Sequence, residues 1–266
     1  MPNSVFEKIY ITFRKTYKGV VLIMKILITN DDSVSSKVLM PLAKWAKQFG
    51  EVTVVVPKYE QSGKSHSIEI RRAFELKQVP FDDPDIEIYT VDSSPADCVR
   101  FAIEGMHIKF DFVISGINRG LNLGIDVLYS GTLGAAFEAA TFGIPAVALS
   151  TEIGGFEEAM EALDDIKEFF VCNELMKKNT IYNINIPLNH NGISVTRMGE
   201  RYCVDEFLPQ GNDMYLATYK ETPTDSDDKS IDINAISSGY ISVTPLILDR
   251  TNMPVFEELN KLSIQS

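Results

Sequence analysis

The feature of this sequence that most constrains its fold is the alternation of short aliphatic runs with stretches of helical periodicity. Such alternation is typical of βαβ units, in which a helix connects each strand to the next parallel strand. The runs contain few polar residues, so we expect strands that are buried on both faces, as in a doubly wound sheet. Strands are predicted at 25–29, 52–56, 110–115 and 144–149, and helices at about 37–48, 95–105, 132–142 and 156–171.

The last third of the chain has a different pattern, with strand-like stretches and no strong helix before 254–262. We interpret the region from about 180 to 266 as an antiparallel extension that packs against the sheet or against a neighbouring subunit. The acidic stretch 222–232 is interpreted as a solvated loop. The predicted strands of the extension are 180–187, 192–199, 213–220 and 239–248.

Residues 1–23 precede the first predicted strand and are interpreted as an appendage. Because Met24 would be a natural beginning for the α/β domain, the appendage is either non-native or translated from an upstream start, and an organelle-targeting segment is the alternative. The domain itself is predicted to span 24–266. Its fold class is α/β, with a doubly wound, mostly parallel, Rossmann-like sheet and the antiparallel extension after it.

Composition limits the partners of the chain. The formal net charge of the 266 residues is -12, and an acidic surface repels polynucleotides and anionic lipid. A phosphorylated substrate would be repelled too, unless its site supplies positive charge. The longest apolar run near the front is interrupted by Lys25 and is too short to span a bilayer. The three cysteines are scattered, which favours reduced thiols and a cytoplasmic location.

Polar residues follow the predicted strands at the points where the strands end. Asp31 and Asp32 come directly after the first strand, the hydroxyl-rich stretch 62–67 follows the second, and Asn118 lies in a glycine-broken segment after the third. Ligands of open α/β sheets bind outside the carboxyl ends of the strands. We therefore expect these residues to meet at one edge of the sheet.

The adjacent carboxylates of Asp31 and Asp32 offer oxygen ligands of the kind that Mg²⁺ and Mn²⁺ prefer. The alternative is that Asp32 caps a helix or a turn while Asp31 faces solvent. An Asp pair after a strand also occurs in signalling receiver domains. The stretch 62–67 is not a P-loop, and it could be a plain flexible loop.

A fourth cluster, Ser130, Gly131 and Thr132, stands where a helix is predicted to begin. Free backbone N–H groups and the helix dipole favour phosphate at such a position. The alternative is a simple N-cap, a role in which Ser and Thr are common. Carboxylates, hydroxyls and a helix start at one sheet edge together favour metal-assisted hydrolysis of a phosphate ester.

Longer stretches of the sequence resemble a known family. They include "MKILITNDD", "SPADCVR", "DFVISGINRGLNLGIDVLYSGTLGAAFEA" and "GYISVTPL", and the third is long and highly specific. The chain resembles the SurE family of metal-dependent 5'/3'-nucleotidases from about Met24 to Thr251. The resemblance implies hydrolysis of nucleoside 5'-monophosphates, and of 3'-monophosphates as a further possibility, to nucleoside and phosphate. It also implies a homodimer or homotetramer formed in part by exchange of the C-terminal extension.

The resemblance also implies roles for individual residues. Asp31 and Asp32 would be the catalytic pair, and together with Ser62 and Asn118 they would bind one divalent cation per subunit, Mg²⁺ or Mn²⁺. Asn118 and the segment Ser130, Gly131 and Thr132 would contact the phosphate of the substrate. The general base is not identified; a water held by Asp31 is our expectation.

Two segments depart from the family pattern. Ser33 replaces the usual glycine after the Asp pair, at the start of the altered stretch 33–37, and Ser93 and Ser94 replace the usual Gly-Thr. A glycine at 33 would allow a positive φ next to the metal. These changes support an alternative from another class, a nucleotide-sensing module that binds metal without turnover. A receiver domain fits poorly, because the chain is too long for one.

Overall fold

A nine-stranded, mostly parallel sheet forms the centre of the computed structural model, which describes residues 15–17, 20–201, 203–221 and 226–262. Its interior strands have mostly buried side chains, as their aliphatic sequences predict. In spatial order the strands are β10 (Ile193–Val195), β13 (Ile241–Leu246), β9 (Ile181–Ile186), β8 (Ala146–Thr151), β7 (Phe112–Arg119), β3 (Met24–Thr29), β4 (Gly50–Pro57), β6 (Ile86–Val91) and β5 (Leu76–Val79).

Helices cover both faces of this sheet. On one face α1 (Leu39–Ala46) and α4 (Phe156–Cys172) pack into one apolar cluster, and on the other α2 (Pro95–Arg100) and α3 (Gly131–Thr141) pack into a second. This arrangement confirms the predicted α/β, doubly wound fold class. The remaining helices are α5 (Leu175–Lys178), α6 (Asp232–Ser237) and α7 (Met253–Asn260), with a π-helical turn at Phe101–Gly105 and a 3₁₀ turn at Gly124–Leu128.

The strand order reverses at β3. From β3 the chain proceeds to β4 and β6 on one side, and then crosses to β7, β8 and β9 on the other. At such a switch point the connections after the two neighbouring strands run in opposite directions and leave a crevice at their carboxyl ends. The residues that follow β3 and end β7 therefore border the expected ligand site.

Several predicted boundaries need correction. β7 and β8 each begin two residues later than predicted, and the helix expected over 95–105 is α-helical only to Arg100. The sequence did not predict β5 and β6. β5 (LKQV) is an edge strand whose side chains are mostly exposed, so it lacks an apolar run.

The C-terminal region is less uniform than predicted. β9, expected in an antiparallel extension, pairs parallel with β8, whereas β13 pairs antiparallel with β9. A separate antiparallel hairpin is formed by β11 (Cys203–Gly211) and β12 (Met214–Glu221). α6 precedes β13, in a stretch where no helix was predicted, and its first residue, Asp232, is fully buried rather than part of a solvated loop.

The predicted appendage is described only in part. Residues 1–14 and 18–19 lie outside the described ranges, and the remainder contains a short antiparallel pair, β1 (Lys15–Tyr17) and β2 (Val20–Leu22). Within the described ranges no helix is both long and apolar enough to cross a membrane.

Candidate active site

Asp31 lies at the carboxyl end of β3 with only 3% of its surface exposed. Its Oδ1 accepts a hydrogen bond of 2.7 Å from the Thr132 hydroxyl at the start of α3. Burial, reinforced by the neighbouring charge of Asp32 and opposed by the Thr132 hydrogen bond, raises the pKa of Asp31 from 3.8 to about 6. A carboxylate in this position is costly to ionise without a cation nearby.

Asp32 is half-buried and points toward the end of β7. Its Oδ2 accepts a 3.2 Å hydrogen bond from the backbone N–H of Arg119. Burial raises the pKa of this carboxyl too, and the charge of Glu60 adds to the effect. None of the ion pairs in the described ranges involves Asp31 or Asp32. The two adjacent carboxylates at the switch point thus have no ion-pair partner in the described ranges, although the charge of Arg119 partly offsets the rise in the pKa of Asp32.

Asn118 is the penultimate residue of β7, directly before Arg119, whose backbone N–H contacts Asp32. Its Nδ2 donates a 2.8 Å hydrogen bond to the carbonyl of Gly120, so its Oδ1 is the atom left for a ligand. Gly120 is fixed in turn, because its N–H donates to the carbonyl of Thr151 at 2.8 Å. The amide of Asn118 therefore presents an oxygen, which is the atom that a hard cation prefers.

Ser62 lies in the exposed loop that follows β4. Its hydroxyl donates a 2.8 Å hydrogen bond to Glu60 Oε1, which leaves the oxygen lone pairs free. The next residue back, Gln61, donates its backbone N–H to the carbonyl of Asp31 at 2.7 Å. This backbone hydrogen bond attaches the loop beside the Asp pair.

The four candidate ligands fit a hard divalent cation by their chemistry. All offer oxygen, and the Ser62 hydroxyl and the Asn118 side-chain nitrogen each donate a hydrogen bond to another acceptor. No group of three or more His, Cys, Asp or Glu arranged to hold a metal occurs among the residues that the structure describes. A site of two carboxylates, one hydroxyl and one amide would not form such a group. Binding of a cation by this set stays a prediction.

The start of α3 closes the other side of the crevice. Ser130 is the N-cap, since its hydroxyl accepts a 3.2 Å hydrogen bond from the Leu133 N–H. A Cβ on Gly131 would lie 3.1 Å from Asp31 Oδ2 and 3.2 Å from the Gln61 carbonyl, so the crevice favours glycine there. The capping role left open by the sequence is observed, and phosphate contact by this segment stays a prediction.

The departures from the family pattern have local structural consequences. Ser33 adopts the left-handed backbone conformation, with φ of 70°, that a glycine would adopt more readily. Asn30 Nδ2 donates a 3.0 Å hydrogen bond to the Ser33 carbonyl and supports this conformation. Ser94 caps α2 by accepting from the Asp97 N–H at 3.1 Å, and the Ser93 hydroxyl donates to Asp97 Oδ2 at 2.6 Å.

Sequence reasoning missed the residues that immobilise the segment after β7. Asn122 donates its N–H to Asn185 Oδ1 at 2.8 Å, and its carbonyl accepts from the side-chain amides of Asn183 and Asn185. Asp232 accepts from the Gly124 N–H at 2.8 Å. Amides within the buried strand β9 were the available signal, because buried polar groups need partners.

Comparisons with known proteins show the family to which the chain is similar. The family model described as "Survival protein SurE" matches residues 26–205. The protein named "5'-nucleotidase SurE" from Caldanaerobacter subterraneus subsp. tengcongensis is 39% identical over 249 residues, which cover 90% of this chain and 96% of that protein. The protein of the same name from Legionella pneumophila subsp. pneumophila is 38% identical over 250 residues, covering 90% and 97%. The crystal structure of SurE protein from Aquifex aeolicus superimposes with a TM-score of 0.75 at 34% identity, covering 90% of this chain and all of that one.

Proposed function

The chain belongs to the SurE family, and from this membership we propose that it is a metal-dependent 5'-nucleotidase that hydrolyses nucleoside monophosphates. Curated relatives named as 5'-nucleotidases, similar over about 90% of the chain, support the activity. The observation that carries the metal dependence is the pair of carboxylates, Asp31 and Asp32, held at the switch point without an ion-pair partner in the described ranges.

Asp31, Asp32, Ser62 and Asn118 are the proposed ligands of one Mg²⁺ or Mn²⁺. The bound cation would neutralise charge on the phosphoryl oxygens and lower the pKa of a nearby water. Asp31 is additionally held by the Thr132 hydroxyl, which fixes the orientation of its carboxylate. This contact links the predicted metal ligands to the predicted phosphate-binding segment.

The proposed reaction is an in-line displacement at phosphorus. The oxygen of a water molecule forms a bond to phosphorus while the ester P–O bond breaks, and the departing nucleoside oxygen takes up a proton. Ser130, Gly131 and Thr132 are proposed to hold the phosphate at the N-terminus of α3, where the helix dipole favours an anion. No serine or cysteine nucleophile is required.

The protein is also proposed to act in the cytoplasm as a homodimer or homotetramer. The β11–β12 hairpin supports assembly, because it exposes large apolar side chains that a monomer would leave in water. They include Phe207, Met214, Tyr215 and Tyr219, each more than 60% exposed. A monomeric mass in light scattering would contradict this part of the proposal.

The test of the activity is phosphate release from a panel of nucleoside 5'- and 3'-monophosphates. The protein is first treated with chelator and then supplied with Mg²⁺ or Mn²⁺ in separate reactions. We expect phosphate release from 5'-monophosphates only when metal is restored. The reactions with 3'-monophosphates measure whether the protein also hydrolyses these esters. Undiminished release in chelator would contradict metal dependence, whereas metal-induced thermal stabilisation without release would favour the sensing module.

A further inference from the structure

Glu138 is an unusual residue for its place in the fold. It lies in α3, a helix that is otherwise composed of small and apolar residues, and it is only 8% exposed. A buried carboxylate lowers stability unless charged or polar partners compensate for its lost hydration. None of the roles assigned above uses this side chain, so its partners indicate its purpose.

The carboxylate of Glu138 joins two other segments. Its Oε2 lies 2.6 Å from His66 Nε2, and its Oε1 lies 3.5 Å from Arg100 Nε on α2. Arg100 also contacts Asp97 Oδ1 at 3.0 Å, and Asp97 Oδ2 accepts from the Glu69 N–H at 2.7 Å. The network therefore holds the stretch 66–69 at two points.

This stretch continues directly from the loop that carries Ser62. Before His66, the N–H of Ser65 donates to the Tyr129 carbonyl at 2.9 Å. The loop lies so close to α3 that a Cβ on Gly134 would be 2.2 Å from the Ser65 carbonyl. On the other side of Ser62, the hydrogen bond from the Gln61 N–H to the Asp31 carbonyl attaches the loop beside the Asp pair.

We propose that His66 is a positioning residue, which through Glu138 holds the 62–65 loop on α3 and so fixes Ser62 relative to Asp31 and Thr132. Thr132 and Glu138 lie six residues apart on α3, fewer than two helical turns, so this helix is a common rigid support for both sides of the site. The inference rests on the proposed function, because it assumes that Ser62 is a metal ligand. Residues that orient ligands in this way typically contribute about 10- to 100-fold to metal affinity.

The experiment measures Mn²⁺ affinity of the full chain by calorimetric titration without substrate. His66→Ala is compared with the unchanged protein, with Ser62→Ala and with the double variant. We expect His66→Ala to weaken Mn²⁺ binding by about 10-fold or more, and to have no further effect once Ser62 is alanine. Equal effects of His66→Ala in both backgrounds would overturn the inference, because they would show that His66 does not act through Ser62.

Three controls separate positioning from loss of fold. Lys64→Ala changes an exposed residue of the same loop and should leave Mn²⁺ affinity unchanged. His66→Gln retains a donor that can reach Glu138 and should recover most of the affinity. Glu138→Gln keeps the side-chain shape, loses the charge, and should weaken binding in the same direction as His66→Ala if the pair is the cause.

The possible failures are distinguishable. If the unchanged protein does not bind Mn²⁺, the proposed metal dependence fails and the inference fails with it. If the unchanged protein binds Mn²⁺ and His66→Ala binds it equally tightly, only the inference fails. If Ser62→Ala binds Mn²⁺ as tightly as the unchanged protein, the assignment of Ser62 as a ligand fails together with the inference, whereas metal dependence itself stands.

Discussion

Replacing Asp31 by asparagine should stabilise the metal-free protein while abolishing its activity. In the folded chain the pKa of Asp31 is raised from 3.8 to about 6, mainly by burial. At about 1.36 kcal/mol per pH unit, this difference corresponds to roughly 3 kcal/mol of folding free energy. Asparagine has nearly the same shape, and its Oδ1 can still accept from Thr132, so the substitution removes the charge with little repacking.

The sign follows from the two states of the carboxyl. Because the folded pKa lies above the unfolded one, the folded protein binds the proton more tightly, and this stabilisation is complete only below about pH 4. It is lost as the pH rises from 3.8 to about 6, so metal-free protein at pH 7.5 is destabilised by the buried charge. Asp31→Asn should therefore be more stable than the unchanged protein by about 2–3 kcal/mol at pH 7.5.

The assay is thermal unfolding in chelator at pH 4 and pH 7.5, with Asp165→Asn, an exposed carboxylate on α4, as the matched control. A chain of this size gains about 2–4 °C per kcal/mol, so Asp31→Asn should unfold about 4–12 °C higher at pH 7.5. Most of that gain should vanish at pH 4. Addition of Mn²⁺ should raise the unfolding temperature of the unchanged protein and of the control, but not that of Asp31→Asn. A lower unfolding temperature for metal-free Asp31→Asn at pH 7.5 would refute the reasoning.

Three further substitutions test the structure around the site. Thr132→Val removes a donor to a buried carboxylate and should cost about 1–3 kcal/mol in urea unfolding at pH 7.5; an unchanged midpoint would contradict the contact. Gly134→Ala places a Cβ against the Ser65 carbonyl and should cost a similar amount, checked in the same way. Ser33→Gly removes the backbone strain of a serine in the left-handed conformation, but it also gives the unfolded chain more conformational freedom. The free energy of unfolding should therefore change by less than about 1 kcal/mol, and phosphate release should be retained. A large gain in phosphate release would show that Ser33 impairs catalysis.

Much of the fold could be predicted from the sequence because the buried parallel strands carry continuous aliphatic runs. The strand before Asp31 is an example, since its residues Ile26, Leu27 and Ile28 are at most 1% exposed. β5 has no such run, because it lies at the exposed edge of the sheet. The parallel pairing of β9 also could not be predicted, since its direction depends on how the chain crosses from α4 and not on its own residues.

The candidate site, like the fold, could be predicted from the sequence only in part. Adjacent aspartates after a buried strand indicate the site directly, because local order fixes where a strand ends. Contacts between distant segments carry no such local signal: His66 and Glu138 are separated by 72 positions, and Gly124 and Asp232 by 108. The single acidic residue in an alanine-rich helix was a hint that such a partner existed. Only the tertiary structure identifies which residue it is.

The central claim is tested most directly by phosphate release from a nucleoside 5'-monophosphate in the presence of Mn²⁺, measured for the unchanged protein, Asp31→Asn and Asp165→Asn in parallel. The account predicts release by the unchanged protein and by Asp165→Asn, dependence of both on Mn²⁺, and a loss of about 100-fold or more for Asp31→Asn, comparable to removal of a main electrostatic contribution to catalysis. Metal-dependent release by Asp31→Asn at the rate of the unchanged protein would contradict it.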